Sequence, residues 1–188
     1  LTFTNKASKE MRQRVDVLLK SLKSKVENKK SDLNTLNSKL STFNSSAELT
    51  MGTFHSVCAK ILRHEIKHLG YTQDFVIYDT DDQQKTIREI LEDLRIDSKK
   101  MPPQMFGAFI SRAKNLLQLP SELDLGLDSP LKERLAEVYS RYQDSLYKQN
   151  ALDFDDLLLL TVKIFQNFPA VLEKYKKKFQ YILVDEYQ

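Results

Sequence analysis

The chain has 188 residues, of which 41% are apolar and 29% charged, and its formal net charge is +3 at pH 7. Because it contains only 4 Gly and 5 Pro, a loop-rich β architecture is excluded and helix should dominate. Its apolar runs are too short to span a membrane, and the single Cys58 excludes an internal disulfide. We therefore expect a folded, cytoplasmic protein.

The first predicted element is a helix that follows the last residues of a strand. Thr4 or Asn5 can cap this helix, which should run from Lys6 onward. Its apolar residues keep helical spacing at Met11, Val15, Leu18, Leu19 and Leu22. A polar arm rich in Ser, Asn and Lys follows, from about residue 23 to residue 49. The narrow apolar stripe of this arm favours a frayed helix over a loop.

Two short extended segments and a helix are predicted next. Residues 49–54 resemble a short strand, and His55 with Ser56 opens a helix that Gly70 should end. Residues 75–78 form a second brief extended piece.

From about residue 79 to residue 168 the sequence predicts helices only. Capping residues or prolines mark four helix starts, at Asp79, Pro102, Ser129 and Asp153. The last of these starts is rich in Asp, which we interpret as capping groups rather than as a second metal site.

The final predicted element is a strand, Tyr181 to Val184, that leads directly into Asp185 and Glu186. Paired carboxylates at the carboxyl end of a parallel strand can serve as a metal ligand and a general base for a nucleotide. Strands at both ends with helices between them predict an α/β, helix-dominated fold, in which a helical insertion interrupts a parallel sheet.

Five segments resemble stretches typical of superfamily 1 DNA helicases of the UvrD/PcrA/Rep type, and they follow one another along the chain in the same order as in that family. Residues 2–11 resemble motif Ia, residues 53–56 resemble motif Ib, and residues 185–188 resemble the start of motif II, the Walker B element. Residues 75–83 and 152–158 are similar to parts of the inserted helical subdomain of that family.

The resemblance implies a RecA-like P-loop NTPase fold and a piece of a larger enzyme that begins at motif Ia. Residues 1–78 and 169–188 would belong to the RecA-like domain, and residues 79–168 would be the inserted helical subdomain. The arm at residues 23–49 is longer than the family usually carries. The phosphate-binding motif G-x-x-x-x-G-K-[ST] does not occur in this sequence, so we expect ATP and Mg²⁺ in the intact parent and no tightly bound nucleotide here.

The resemblance also assigns roles to the motif II residues. Asp185 would hold Mg²⁺, and Glu186 would be the catalytic residue that orients and deprotonates the water attacking the γ-phosphate. By motif match, Gln188 would lie near the nucleotide.

DNA binding is assigned to the two turns at which a predicted strand gives way to a helix, residues 3–6 and 53–56. The Phe3 ring would stack on a base, and the polar residues of both turns would contact phosphates. These polar residues are Thr4, Asn5, Lys6, Thr53, His55 and Ser56. The expected partners are single-stranded DNA and single/double-strand junctions, with protein partners possible through the helical insertion or the arm, and no membrane.

Two alternatives remain open at this point. The parent could be the helicase arm of a recombination nuclease–helicase instead of a repair or replication helicase. Alternatively, the chain could be a non-catalytic module that binds DNA or protein.

Overall fold

The computed structural model describes residues 1, 4–27, 49–123 and 130–185. The chain separates into two compact units. We call Leu1–Val57 with Gln180–Gln188 the terminal unit and Cys58–Phe179 the helical unit. The domain boundaries expected from the sequence remain a prediction.

The first helix begins where the sequence predicts. Helix α1 spans Asn5–Glu27, and Thr4 is its cap: the Thr4 Oγ1 accepts from the Ala7 amide at 3.1 Å and the Thr4 carbonyl from the Ser8 amide at 3.0 Å. The helix therefore enters the first part of the predicted arm. Residues 28–48 lie outside the described residues, so the expectation for the rest of the arm stays a prediction.

The strand predicted for residues 49–54 is wrong. Within the described residues of this segment, Thr53 alone forms a β-bridge, and helix α2 already begins at Phe54 and runs to Glu65. Thr53 itself caps α2, because its Oγ1 accepts from the Ser56 amide at 3.2 Å and its carbonyl from the Val57 amide at 3.1 Å. Because Thr53 caps this helix, the extended segment ends at Thr53.

Gly70 ends the second helical segment, as predicted. A 3₁₀ turn, Ile66–Leu69, follows α2, and Gly70 closes it in the left-handed region with φ 85°. The Gly70 amide donates to the Lys67 carbonyl at 3.1 Å.

Replacing Gly70 with Ala should lower the free energy of unfolding by roughly 1–2 kcal/mol, because a Cβ disfavours the left-handed conformation. The new Cβ would also approach the Tyr147 Oη to 2.6 Å, but that side chain is half exposed and can move aside. Gly70→Asn should cost less, since Asn tolerates this conformation. Urea unfolding of both variants measures the difference, and equal stability of the Ala variant and wild type would contradict it.

A two-stranded parallel sheet joins distant parts of the helical unit. Strand β1, Val76–Ile77, pairs with strand β2, Ala151–Leu152, with Val76 opposite Ala151. The sequence predicts β1, but β2 lies in the stretch that it predicts as helical only. The result is a helix-rich α/β fold with a small parallel sheet.

Four further helices follow the four predicted starts. They are α3 (Thr80–Asp93), α4 (Pro103–Asn115), α5 (Pro130–Lys148) and α6 (Phe154–Asn167). Helix α7, Pro169–Lys178, comes after them. Asp79 and Asp153 each form a capping box with the acid three residues later, and this confirms the interpretation of these acids as caps. None of the helices in the described ranges combines the length and apolarity needed to cross a membrane.

The core of the helical unit lies between α3, α4 and α5. Its buried side chains are Ile87, Ile90, Leu91, Phe106, Ile110, Ala113, Val138, Tyr139, Tyr142, Leu146 and Ala151. The apolar spacing of α6 predicts a buried stripe at Leu157, Leu158, Thr161, Val162 and Phe165. Leu157 and Thr161 are buried as predicted, whereas Leu158, Val162 and Phe165 are only half-buried and Ile164 is buried instead. Helical spacing permits several adjacent stripes on so apolar a helix, and the neighbouring elements select one.

The segment Tyr181–Val184, which the sequence predicts as a strand, pairs with a neighbouring backbone over only a small part of its length. Among the described residues it is not assigned as a strand, and its backbone pairs with Leu1. Tyr181 and Leu183 are 90% and 86% exposed. Within the described part of the chain Leu1 is the residue that faces this segment, and one facing residue does not provide the continuous ladder that a strand needs.

Candidate functional site

Asp185 lies at the end of a segment that pairs with the start of the chain. The Leu1 amino group donates to the Leu183 carbonyl at 2.7 Å, and the Asp185 amide donates to the Leu1 carbonyl at 2.9 Å. Two such bonds, on either side of Val184, are the pattern of neighbouring parallel strands. Asp185, the last residue of this pairing, is exposed to solvent.

Three other predicted site residues, Phe3, Glu186 and Gln188, lie outside the described residues. Their assigned roles remain predictions.

The first predicted DNA turn lies at the start of α1. Thr4, Asn5 and Lys6 are all exposed, and the first turn of the helix contains no acidic residue. The first amides of a helix lack partners within the helix and attract anions. A phosphate could therefore approach this turn without repulsion from a carboxylate of the same turn.

The second predicted DNA turn lies at the start of α2 and is less accessible. Thr53 is buried, and His55 and Ser56 are half-buried. The hydroxyl of Ser56 donates to the Thr53 carbonyl at 2.9 Å, so the Thr53 and Ser56 side chains both belong to the local cap. The first turn of α2 also lacks an acidic residue.

One contact brings the elements of the two turns together within the terminal unit. The Arg12 Nη2 on α1 donates to the carbonyl of Met51, two residues before Thr53, at 3.3 Å. Two helix starts of the same construction, each capped by a Thr, therefore belong to neighbouring parts of one unit.

The oxygen of Asp185 suits the metal that the sequence predicts. Mg²⁺ prefers oxygen ligands and commonly takes one or two carboxylates together with waters and phosphate oxygens. An exposed carboxylate at the end of the segment that pairs with Leu1 fits this requirement. In the described ranges, Asp185 included, no group of three or more His, Cys, Asp or Glu side chains could hold a metal ion.

The structure also contains a buried charged cluster that the sequence reasoning missed. The ammonium of Lys114 on α4 lies 2.8 Å from Asp153 Oδ2 and 2.8 Å from Asp156 Oδ1. Asp153 Oδ2 also accepts from the Tyr142 hydroxyl at 2.9 Å and from the Gln83 amide at 3.4 Å. These five side chains join α3, α4, α5 and the start of α6, and we call them the Lys114 cluster.

Burial and the neighbouring charges shift the pKa values of the three ionisable side chains Lys114, Asp153 and Asp156. Burial disfavours the ammonium of Lys114, but Asp156 and Asp153 outweigh burial and raise its pKa above the usual value. Burial raises the pKa of Asp156 to about 6, against the attraction of Lys114. For Asp153, burial is outweighed by Lys114, which lowers the pKa of this carboxyl. Asp153 is therefore the ionised partner, and Asp156 is the carboxyl that can hold a proton.

A sequence signal for Lys114 did exist. The buried residues Phe106 and Ile110 of α4 are four positions apart, and Lys114 occupies the next position of the same stripe. A Lys in an apolar stripe requires a buried anion, and the two acids that begin α6 supply it.

Comparisons with known proteins agree with the resemblance noted in the sequence. The family model for the UvrD/REP helicase N-terminal domain matches residues 1–188. The ATP-dependent DNA helicase PcrA of Staphylococcus aureus (strain NCTC 8325 / PS 47) is 40% identical over 189 aligned residues, which cover 100% of this chain and 23% of the relative. PcrA of Bacillus subtilis (strain 168) is 38% identical, with coverage of 100% and 22%.

The chain thus spans less than a quarter of the length of the curated relatives it matches. The match extends over the whole chain and includes both units. We conclude that the chain belongs to the UvrD/REP helicase N-terminal domain family.

Proposed function

We propose that this chain forms part of the first motor domain of an ATP-dependent DNA helicase that translocates on single-stranded DNA and unwinds duplexes. The relatives named ATP-dependent DNA helicase support the activity. The observation in the structure that carries the proposal is the parallel pairing of Leu1 with the segment that ends at Asp185. It joins the start of motif Ia to the end of the Walker B segment, as neighbouring strands of a RecA-like sheet would be joined.

The nucleotide half of this function belongs to the segment after Val184. Asp185 would hold Mg²⁺, which neutralises the charge that develops on the phosphates of ATP. Glu186 would orient the attacking water and accept its proton, and Gln188 would lie beside the nucleotide.

The DNA half belongs to the two Thr-capped turns. Asn5 and Lys6 are exposed at the start of α1, where helix amides and a cation can contact phosphates. Phe3 would stack on a base next to them. His55 would extend the track at the second turn, whereas the hydroxyls of Thr53 and Ser56 would mainly hold that turn in shape.

Phe3→Ala should weaken single-stranded DNA binding of a helicase containing this sequence by about 1–3 kcal/mol, with little preference among bases, because stacking reads no sequence. Lys6→Ala should instead reduce the salt dependence, by about 0.7 in the log–log slope per lost phosphate contact. Equilibrium titration with labelled oligonucleotides measures both effects.

The matched control for these variants is Lys20→Ala, which removes an exposed charge of α1 away from its first turn and should leave affinity unchanged. If Phe3→Ala left DNA affinity unchanged and destabilised the fold, Phe3 would belong to the core. A fall in affinity for Lys20→Ala equal to that for Lys6→Ala would show a diffuse basic surface instead of a track.

A further inference from the structure

Gln143 provides Asp156 with a partner that can act as a donor or as an acceptor. Its Nε2 donates to Asp156 Oδ1 at 3.3 Å and to Oδ2 at 3.4 Å. Its Oε1 is buried and has no hydrogen-bond partner among the described residues. The two ends of an amide have the same shape, so a half-turn of the group places Oε1 against the Asp156 carboxyl without new space.

The charges around Asp156 do not balance when both carboxyls are ionised. One ammonium, that of Lys114, faces two carboxylates that are almost completely buried. Apart from Asp155, the half-buried acid next to it on α6, the other ionisable groups near Asp156 are phenols, whose pKa values burial raises, so they stay neutral. They are Tyr139 and Tyr142 on α5 and Tyr71 after the first 3₁₀ turn.

A proton on Asp156 removes this imbalance. The cluster then contains one ammonium and one carboxylate, and Asp153 keeps its bonds to Lys114 and to the Asp156 amide, the latter at 2.9 Å. A protonated carboxyl needs an acceptor for its hydroxyl, since an unsatisfied buried donor is costly. Oε1 of Gln143 is a buried acceptor that stands on the amide already in contact with Asp156.

We propose that Asp156 and Gln143 form a proton switch inside the helical unit. When Asp156 is ionised, Nε2 of Gln143 donates to the carboxylate. When Asp156 takes a proton from solvent, the amide turns over and its Oε1 accepts the new hydroxyl. The net charge of the Lys114 cluster thereby changes from minus one to zero, and the helical unit becomes more stable against unfolding.

The sign of the pH effect follows from the direction of the shift. The folded pKa of Asp156, about 6, lies above the ordinary Asp value of about 3.9. The proton therefore stabilises the folded state fully below that ordinary value, and this contribution is lost as the pH rises to about 6. Between these limits Asp156 alone should raise the unfolding constant by up to about tenfold per pH unit.

Carbon-13 and nitrogen-15 NMR of the 188-residue chain tests the switch directly. The Asp156 carboxyl should titrate with a midpoint near pH 6, and the Gln143 side-chain amide signals should shift with the same midpoint. A carboxyl midpoint near the ordinary value of about 3.9 would overturn the proposal. It would also be overturned if the Gln143 amide signals stayed constant while Asp156 titrated.

Unfolding by urea between pH 4.5 and pH 6 provides the second readout. Asp156→Asn should abolish the part of the pH dependence that Asp156 causes. Asp155→Asn removes a half-buried neighbouring acid of the same turn and should leave this part intact. Equal pH dependence in wild type and Asp156→Asn would contradict the switch, and the NMR titration of wild type decides the matter if the variant does not fold.

Discussion

Lys114→Met should lower the free energy of unfolding of the 188-residue chain by about 3–5 kcal/mol at neutral pH. The ammonium lies 2.8 Å from each of two carboxylates, and all three side chains are at most 4% exposed. Removing it leaves the buried Asp153 carboxylate without a cation and makes Asp156, whose pKa is about 6 even beside Lys114, take a proton from solvent. Breaking a buried pair in this way costs far more than the net value of the pair. Since domains are stable by only about 5–15 kcal/mol, the loss would be a large share of the total.

The control for Lys114 is Lys163, whose ionic partner is solvated. Lys163 pairs with Glu122 at 2.7 Å, and although the Lys163 side chain is only 12% exposed, the Glu122 side chain is 44% exposed and keeps water around its charge when the pair is lost. Lys163→Met should therefore cost about 1 kcal/mol, well below Lys114→Met. Adding Asp156→Leu to Lys114→Met should recover part of the loss, because a buried carboxyl that has lost its partner is replaced by an apolar side chain. Urea unfolding followed by circular dichroism measures each variant. A loss below that of Lys163→Met would show that the ammonium does not compensate the two acids.

Glu186→Gln, in a helicase containing this sequence, should abolish ATP turnover while preserving nucleotide binding. The amide keeps the shape of the side chain but cannot accept a proton, and loss of a general base costs about 10²–10⁴-fold in rate. Binding should survive because Asp185, the proposed Mg²⁺ ligand, is intact. Steady-state phosphate release with single-stranded DNA and titration with a fluorescent nucleotide measure the two properties separately.

Two further variants make this result specific. Asp185→Asn should weaken binding of the Mg²⁺–nucleotide complex as well as turnover. Glu173→Gln, an exposed acid of α7, should change neither property. If Glu186→Gln lost binding and turnover equally, Glu186 would have a structural role and the proposed division of tasks would be wrong.

Helix starts and stops could be predicted from this sequence because they depend on neighbours within four residues. Asp79 and Asp153 cap their helices through bonds to amides two or three positions later. Gly70 ends its helical segment through its own backbone conformation. The strand predicted for residues 49–54 does not form, because the capping bond of Thr53 outweighs the β-propensity of its neighbours.

The candidate site was predictable only where a motif carries its chemistry in consecutive residues. Residues 185–188 and 2–11 indicate their roles by their order in the chain, and the structure adds the pairing of Leu1 with the segment before Asp185. It also adds what a motif cannot show, namely that Thr53 is buried in a cap whereas Lys6 is exposed.

The sequence by itself determined the family, the helix-dominated composition, and the local signals that begin and end the helices. Only the tertiary structure decided that β1 pairs with β2, that Ile164 rather than Phe165 is buried on α6, and that Lys114 is enclosed by two acids. The physical reason is that caps and turns are satisfied by bonds between near neighbours. Strand pairing and the compensation of a buried charge depend instead on residues far apart in the chain, which folding alone brings together.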